Sequence, residues 1–223
     1  MWSRLVSLTL VSLTGFAACT DASGPLPPAS AFRALPTVLN GPAVNAAVDG
    51  RTAITNLPFG QLSRTIPLSP GMHEVLFQPA SGGAPYDLLL TTSSGVNYTA
   101  FVIDSAAHLQ PIVVDDAAGV AAAGMGVLRV ASYAALAPQV DVRRSQPDST
   151  GLLLVAAPLG FGTVSGYFAS TPGKWTVVVS HHTLTDTLLA TDSIPVAAGQ
   201  AWTVVLLDSA GSRVTWRLVE DRN

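Results

Sequence analysis

The chain has 223 residues, of which 48% are hydrophobic and only 11% charged, and its formal net charge at pH 7 is −3. Such a balance provides no basic surface to attract a phosphate backbone, so the composition argues against nucleic-acid binding. The chain has a single cysteine, which excludes an internal disulfide and a cysteine-based zinc site.

The first 18 residues have the features of a secretory signal peptide. Arg4 precedes an apolar stretch, from Leu5 to Ala18, that ends in small residues. This stretch is shorter than the roughly 20 residues that a helix needs to cross a bilayer. No later segment is long and apolar enough, so we predict no membrane-spanning helix.

The only cysteine, Cys19, directly follows this leader. The segment Phe16-Ala17-Ala18-Cys19 resembles the bacterial lipobox, in which a lipid is attached to the cysteine and cleavage makes it the new N-terminus. The first lipobox position is usually Leu and is Phe16 here. The resemblance predicts lipidation of Cys19 and a protein anchored to a membrane of the cell envelope. The alternative is an ordinary signal peptide and a secreted protein.

The rest of the chain is predicted to be all-β. Short runs rich in Val, Ile, Thr and aromatic residues are separated by Gly, Pro, Asn and Asp. We predict a flexible tether over residues 19–34, a first antiparallel β-sandwich over 35–116, an Ala/Gly-rich linker over 117–125 and a second β-sandwich over 126–223.

The two predicted sandwiches are copies of one unit. The segment Tyr98–Ala106 (YTAFVIDSA) matches Trp202–Ala210 (WTVVLLDSA), and both copies contain a Pro-Gly turn, at Pro70 and Pro172, before a strand. The offset between matching residues changes only slowly along the chain, as expected for a duplication with small loop insertions.

The matching segments also resemble a known family. Pro42–Gly50 (PAVNAAVDG) looks like a signature strand ending in a turn, and Phe59-Gly60 and a Pro-Gly-turned strand follow. This order is similar to domain-of-unknown-function family 4397 (DUF4397), found in exported and surface proteins of bacteria. The resemblance implies tandem immunoglobulin-like β-sandwiches and an exported location, but no reaction. Asn45 replaces the family's Asp, and Gly50 has no clear partner after Arg143-Arg144.

Histidines are the first candidates for a metal site. His181 and His182 are adjacent on a predicted strand and therefore point to opposite faces. His73 and His108 lie in the other repeat, and neither belongs to a His-x-His spacing. We expect a solvated histidine pair at 181–182 and no metal site.

Three pairs of carboxylates are candidates for acid–base chemistry: Asp115 with Asp116, Asp186 with Asp192, and Asp104 with Asp208. We expect Asp115 and Asp116 to be solvated beside the linker. Asp104 and Asp208 follow the same strand in the two copies, which predicts that each caps its own backbone two residues on.

Two further patterns are assigned to structure rather than chemistry. Residues 162–166 (GTVSG) lack the strand–elbow–helix context of a serine nucleophile, so Thr163 and Ser165 are predicted on one face of a strand. No helix follows Gly160-Phe161-Gly162 to bind a phosphate, so this segment is predicted to be a turn. Seven aromatic residues could form a sugar-binding platform if they were exposed together, although packing is expected: Tyr86, Tyr98, Tyr133, Tyr167, Trp175, Trp202 and Trp216.

The sequence therefore predicts a non-enzymatic module without catalytic residues, metal or cofactor. It would space, scaffold or bind an envelope protein or polysaccharide at the cell surface, held to the membrane through Cys19. Two alternatives remain: an exported hydrolase or carbohydrate-binding protein with a site between the two domains, and an assembly subunit whose sheet edges pair with other chains.

Overall fold

The computed structural model describes residues 29–104, 109–116, 121–145, 151–183 and 186–221. Within these ranges the regular secondary structure consists of strands alone, so the described part of the chain has no helix that could span a membrane. The predicted all-β fold with two sandwiches is confirmed.

The first sandwich contains eight strands: β1 (Ser30–Pro36), β2 (Val44–Val48), β3 (Arg51–Leu57), β4 (Ile66–Leu68), β5 (Gly71–Pro79), β6 (Tyr86–Thr92), β7 (Asn97–Asp104) and β8 (Leu109–Asp115). They form sheet A, in the order β4-β1-β7-β8, and sheet B, in the order β3-β2-β5-β6. The alternation of buried and exposed residues along β2 and β5 is typical of strands with one face on a core and one on solvent.

The second sandwich contains ten strands: β9 (Gly126–Tyr133), β10 (Gln139–Ser145), β11 (Leu152–Gly160), β12 (Thr163–Val164), β13 (Phe168–Ser170), β14 (Gly173–His181), β15 (Thr187–Ala190), β16 (Ile194–Val196), β17 (Ala201–Ser209) and β18 (Arg213–Asp221). Sheet C has the order β12-β9-β17-β18 with β13 also on β9, and sheet D has the order β11-β10-β14-β15 with β16 also on β14. The strand order is therefore the same in both sandwiches.

Most neighbouring strands are antiparallel, as predicted, but each sandwich has one parallel pair at its centre. Strand β1 runs parallel to β7, and β9 runs parallel to β17. The chain can join parallel strands only through a long crossover, and here it passes through the opposite sheet between the two. As a result, the carboxyl ends of the two central strands lie at the same end of each sandwich.

Each sandwich has its own apolar core. Phe32 and Phe77 meet edge to face in the first core, with ring centroids 6.2 Å apart. Trp175 is the largest buried side chain of the second core, and its Nε1–H donates to the Thr171 carbonyl at 2.8 Å. The Phe32–Phe77 contact joins the two sheets of the first sandwich, as required for a layered β fold, whereas the Trp175 hydrogen bond fixes the turn before β14.

The first repeat begins earlier than the sequence predicted. Residues 30–34 were assigned to the tether, but they belong to β1, which pairs with both β4 and β7. The prediction was wrong here because the strand follows a Pro-rich stretch and contains Ala and Pro, which are weak strand formers. Tertiary pairing overrides that local preference.

The signature turn of the first repeat is a two-residue hairpin loop. Asp49 and Gly50 join β2 to β3 and have φ values of 49° and 73°. Two successive positive φ angles are those of a type I′ turn, for which Asp-Gly is a preferred sequence. In the second copy β10 ends at Ser145 and β11 begins at Leu152. The connection is therefore longer than a two-residue turn and does not require a residue equivalent to Gly50.

Candidate functional site

The most extensive feature shared by both repeats is the contact between sheet A and sheet C. Successive residues on their central strands point alternately into their own sandwich and toward the other repeat. Phe101 and Tyr133 stack across the contact with ring centroids 4.6 Å apart. All eight residues of β9 are buried as a consequence. The buried apolar residues of this interface in the described part of the chain are Leu35, Phe101, Ile103, Ala131, Tyr133, Val205, Leu207 and Val219.

Two arginines are buried at one end of this interface. Arg33 on β1 is 5% exposed and Arg129 on β9 is 4% exposed. Their Nε–H groups donate to Thr99 Oγ1 at 2.8 Å and to Thr203 Oγ1 at 2.7 Å, respectively. The two Arg–Thr pairs occupy equivalent places, because β1 lies beside β7 in the first repeat as β9 lies beside β17 in the second.

Two aspartates complete the network. Asp116 Oδ2 lies 3.0 Å from Arg33 Nη2, and its Oδ1 lies 3.0 Å from Arg129 Nη2 of the other repeat. Asp221 lies 3.5 Å from Arg33 Nη2 and 3.4 Å from Arg129 Nε. Each arginine thus contacts an aspartate of its own repeat and one of the other, and two positive charges balance two negative ones.

Hydroxyl groups also donate to both aspartates. Thr99 donates to Asp116 at 2.7 Å, and Thr203 and Tyr167 donate to Asp221 at 2.6 and 2.7 Å. The Tyr167 ring centroid also lies 4.5 Å from the Arg129 guanidinium carbon, which adds a cation–π contact. This degree of pairing is required because an unpaired buried charge is very costly.

Burial dominates the electrostatics of the network. It raises the pKa of Asp116 to about 6, against the opposing effect of the Arg33 and Arg129 guanidiniums. The carboxyl is therefore still ionised at neutral pH. Burial also raises the pKa of Tyr167, whose hydroxyl remains a donor. Because every charged group has partners and little exposure, the network can hold the two repeats together but presents no reactive group to a substrate.

The prediction that Asp115 and Asp116 are both solvated was wrong for Asp116. Asp115 is exposed at the end of β8, whereas Asp116 is 0% exposed within the network. The backbone N–H of Asp116 donates to the Asn97 carbonyl at 2.7 Å, which fixes the residue beside β7. The pairing with β7 therefore turns the second carboxylate inward while the first remains in solvent.

Asp208 also has a different role from the predicted cap on its own backbone. Its carboxylate accepts the N–H groups of Ala135 and Leu136 at 3.0 and 3.1 Å. These residues follow β9, whose end lies beside the end of β17 because the two strands are parallel. Asp208 therefore holds the loop after β9. Its counterpart Asp104 ends β7, and the side chain of Asp104 is outside the described part.

The histidine pair faces two separate aspartates. His181 Nδ1 lies 2.7 Å from Asp186 Oδ2, and His182 Nδ1 lies 2.7 Å from Asp141 Oδ1. Asp192 belongs to neither pair and is exposed. Among the described residues no three His, Cys, Asp or Glu side chains cluster as a metal site would. His108, like Cys19 and the leader, lies outside the described residues.

His73 lies in a buried hydrogen-bonded arrangement that the sequence did not indicate. Its Nδ1 lies 2.8 Å from Asp49 Oδ2 and its Nε2 lies 2.7 Å from the Ser69 carbonyl oxygen, so the protonated ring can donate to both. The hydrogen bond to Asp49 is the largest of the effects that raise the pKa of His73, and the same bond lowers the pKa of Asp49. Trp175 replaces His73 in the second repeat and makes the matching contact to Thr171.

The Gly-rich segment of the second repeat is a turn, in agreement with its predicted structure. Gly162 has φ 75°, and β12 contains only Thr163 and Val164. Ser165 follows the strand, accepts the N–H of Val130 at 2.9 Å and donates to the Gly166 carbonyl. Thr163 and Ser165 are therefore not on one continuous strand face as predicted. Both hydroxyls serve to hold backbone.

The seven aromatic residues do not form an exposed platform. Tyr133 and Trp175 are buried, and the other five are partly buried: Tyr86, Tyr98, Tyr167, Trp202 and Trp216. Tyr98 and Trp202 are the second residues of β7 and β17, and both pack against their own cores. Packing therefore accounts for these side chains.

Two concavities of the described surface are candidate binding sites. One lies where the repeats meet, beside Tyr133, Phe161 and Asp208, and its volume is about 100 Å³. Ligand sites usually occupy about 300–1,000 Å³, so this cleft is too small for a sugar chain. The other lies on the first repeat between β3 and residues 62–64 and has a volume of about 360 Å³. No aromatic residue lines it.

Of the charged residues in the buried network, only Asp116 was among the candidates predicted from the sequence. A signal was present, because Ala31–Leu35 (AFRAL) and Val127–Ala131 (VLRVA) both place an arginine between apolar residues at the start of a repeat. A charge at the same place on two strands that are apolar on both faces indicates a buried, paired side chain. Thr99 and Thr203 were already part of the matched segments.

The comparison with family models identifies the chain. A model described as Domain of unknown function (DUF4397) matches residues 30–143, just over half of the chain. The chain belongs to the DUF4397 family. The matched segment begins at β1 and extends into β10, so it includes the first sandwich and the first strands of the second. No curated protein gives a significant match to the sequence.

Two solved structures show distant similarity. A candidate cell adhesion protein from Bacteroides uniformis ATCC 8492 is 10% identical, with 86% of this chain and 96% of that one covered and a TM-score of 0.33. The family CBM26 module CBMbc of Amy13K from Eubacterium rectale, in complex with maltoheptaose, is 11% identical, with 87% and 98% covered and a TM-score of 0.28. What either protein binds is a property of that protein alone.

Proposed function

We propose that this DUF4397 protein is a non-enzymatic lipoprotein of the cell envelope that acts as a rigid spacer or scaffold. Lipidation of Cys19 would hold it to a membrane, and an envelope protein or polysaccharide would be its partner. The observation that carries the proposal is the buried contact between sheets A and C, which joins two sandwiches into one body. Interfaces between independent domains are usually more polar and permit relative motion.

The alternative of a hydrolase or carbohydrate-binding site between the repeats has less support. The space where the repeats meet is filled by apolar side chains and by the paired network, apart from the cleft of about 100 Å³. Both carboxylate oxygens of Asp208 in that cleft already accept backbone N–H groups. A hydrolase would need a second acid or base facing the same space.

The anchor is tested on the mature protein. The full chain is expressed in a bacterium beside a Cys19→Ser variant, and the mass of the N-terminal peptide is measured. A peptide that begins at Cys19 and carries acyl mass, absent in the variant, supports the anchor. An unmodified peptide that begins elsewhere refutes it and leaves a secreted protein.

The rigid scaffold is tested separately by the distance between the repeats. Met72 on β5 and Lys174 on β14 occupy equivalent exposed positions on the outer sheets. Spin labels are placed at Met72→Cys and Lys174→Cys in a Cys19→Ser background. Pulsed electron paramagnetic resonance then measures the distribution of distances between the two labels. One narrow distribution is expected. A broad distribution, typical of two domains on a flexible linker, would contradict a rigid scaffold even if Cys19 is lipidated.

A further inference from the structure

The edge strand of sheet D exposes an apolar run. Strand β11 pairs only with β10 among the described strands. Its first three residues are Leu152, Leu153 and Leu154, which are 52%, 50% and 52% exposed. The outer side of β11 leaves backbone N–H and C=O groups available for another strand, which makes such an edge a template for pairing.

The first repeat shows that the fold does not require leucine at this edge. Strand β3 is the counterpart of β11, and the two strands pair with β2 and β10 in the same register, including the same irregularity. Arg51 and Thr52 of β3 occupy the places of Leu153 and Leu154. One copy thus has the polar residues that normally protect an edge, and the other has leucines.

Charge distinguishes β11 from the other long edge strands of the described chain. Strands β3, β6, β8 and β18 each contain at least one charged residue, whereas β11 has none over Leu152–Gly160. A strand that pairs with its own copy around a twofold axis brings identical side chains close together, so any charge near the axis would face itself. Among these strands, β11 alone avoids that repulsion.

We propose that β11 pairs with β11 of a second copy of this chain, so that two D sheets become one continuous sheet across a twofold axis. Leucines of one copy then cover leucines of the other. The pairing segment is Leu152–Ala157, since Pro158 has no N–H to donate and interrupts the edge. The contact requires neither the lipid anchor nor a partner of another kind.

Sedimentation velocity over a hundredfold range of protein concentration tests the pairing. The chain carries Cys19→Ser so that no lipid drives association. The test variant is Leu153→Arg with Leu154→Thr, which gives β11 the residues that β3 already carries at those places. We expect a concentration-dependent dimer for the Cys19→Ser protein and at least tenfold weaker association for the variant.

A matched control separates edge pairing from general surface hydrophobicity. Met72 is 71% exposed on the outer face of sheet B, away from β11. Met72→Thr should leave the dimer unchanged. A monomer at all concentrations overturns the proposal. Equal association of the Leu153→Arg, Leu154→Thr variant and the parent chain, or equal loss with Met72→Thr, also overturns it.

Discussion

Replacing Arg129 by Met tests whether the buried network holds the fold together. The substitution removes the cation that lies 3.0 Å from Asp116 and 3.4 Å from Asp221 and keeps a similar unbranched apolar volume. Two buried carboxylates then share the single guanidinium of Arg33. Removal of one partner from a buried ion pair typically costs about 3–5 kcal/mol. For a protein of this length that corresponds to a fall in Tm of about 6–20 °C.

The cost should depend on pH in a defined direction. Without Arg129 the pKa of Asp116 rises further, so the folded variant takes up a proton that the folded wild type does not hold above pH 6. The deficit in unfolding free energy should therefore shrink between pH 7 and pH 6, by up to about 1.4 kcal/mol for that one proton. A merely steric defect would have no such dependence.

Urea unfolding followed by tryptophan fluorescence at pH 7 and pH 6 measures both effects. Arg213→Met is the matched control, because Arg213 lies exposed on strand β18 of the same sheet. Surface changes of this kind usually alter stability by less than about 0.5 kcal/mol. A loss below about 1 kcal/mol for Arg129→Met, or a deficit that grows toward pH 6, would show that the network does not carry the interface.

Three further predictions follow from individual contacts. The pKa of Asp116 is raised to about 6 in the folded state, so the wild-type protein loses stability as the pH rises from about 4 through 6. Asp116→Asn lacks this titration, and its unfolding free energy in urea should therefore gain up to about 3 kcal/mol relative to wild type across that range. A relative loss would contradict the assigned direction. The hydrogen bond to Asp49 raises the pKa of His73, so the protonated histidine stabilises the fold fully below about pH 6.5, and this stabilisation is lost as the pH rises through the folded-state pKa. The Tm of the wild-type protein should therefore fall over that range. An equal fall in His73→Gln would refute the assignment. A Cβ at Gly126 would lie 2.4 Å from a β16 side chain, so Gly126→Ala should lower the unfolding free energy in urea by at least about 1–3 kcal/mol. Gly166→Ala is the control, because a Cβ there would have no atom within 4 Å. Equal effects of the two substitutions would count against the packing argument.

The layered β fold could be predicted because its signals are local. Alternation along His73–Gln78, turns such as Pro70-Gly71 and the Asp49-Gly50 hairpin each specify structure within a few residues. The same local method failed at β1, whose place is fixed by pairing with β7 more than sixty residues away. Strand propensity carries no information about such long-range partners.

The buried network illustrates a second limit of sequence reasoning. Nothing in the residues around Asp116 shows that it meets Arg129 rather than water, since Asp115 beside it is solvated. The side on which a strand-end carboxylate lies depends on the pairing of that strand. The duplication contains a signal that was not used, because Arg33 and Arg129 recur at equivalent places. A charge that recurs within apolar strands requires a buried partner.

The interface also explains why the two repeats belong in one chain. In an isolated first repeat, Leu35, Phe101 and Ile103 would form an apolar strip on the outer face of sheet A, with Arg33 and Asp116 beside it. Contiguous exposed patches of this kind are rare on monomeric proteins. Covering the strip with the equivalent face of a second copy buries both at once and pairs each arginine with an aspartate of the other repeat. Duplication therefore converts a surface that would favour aggregation into an internal contact between the two repeats.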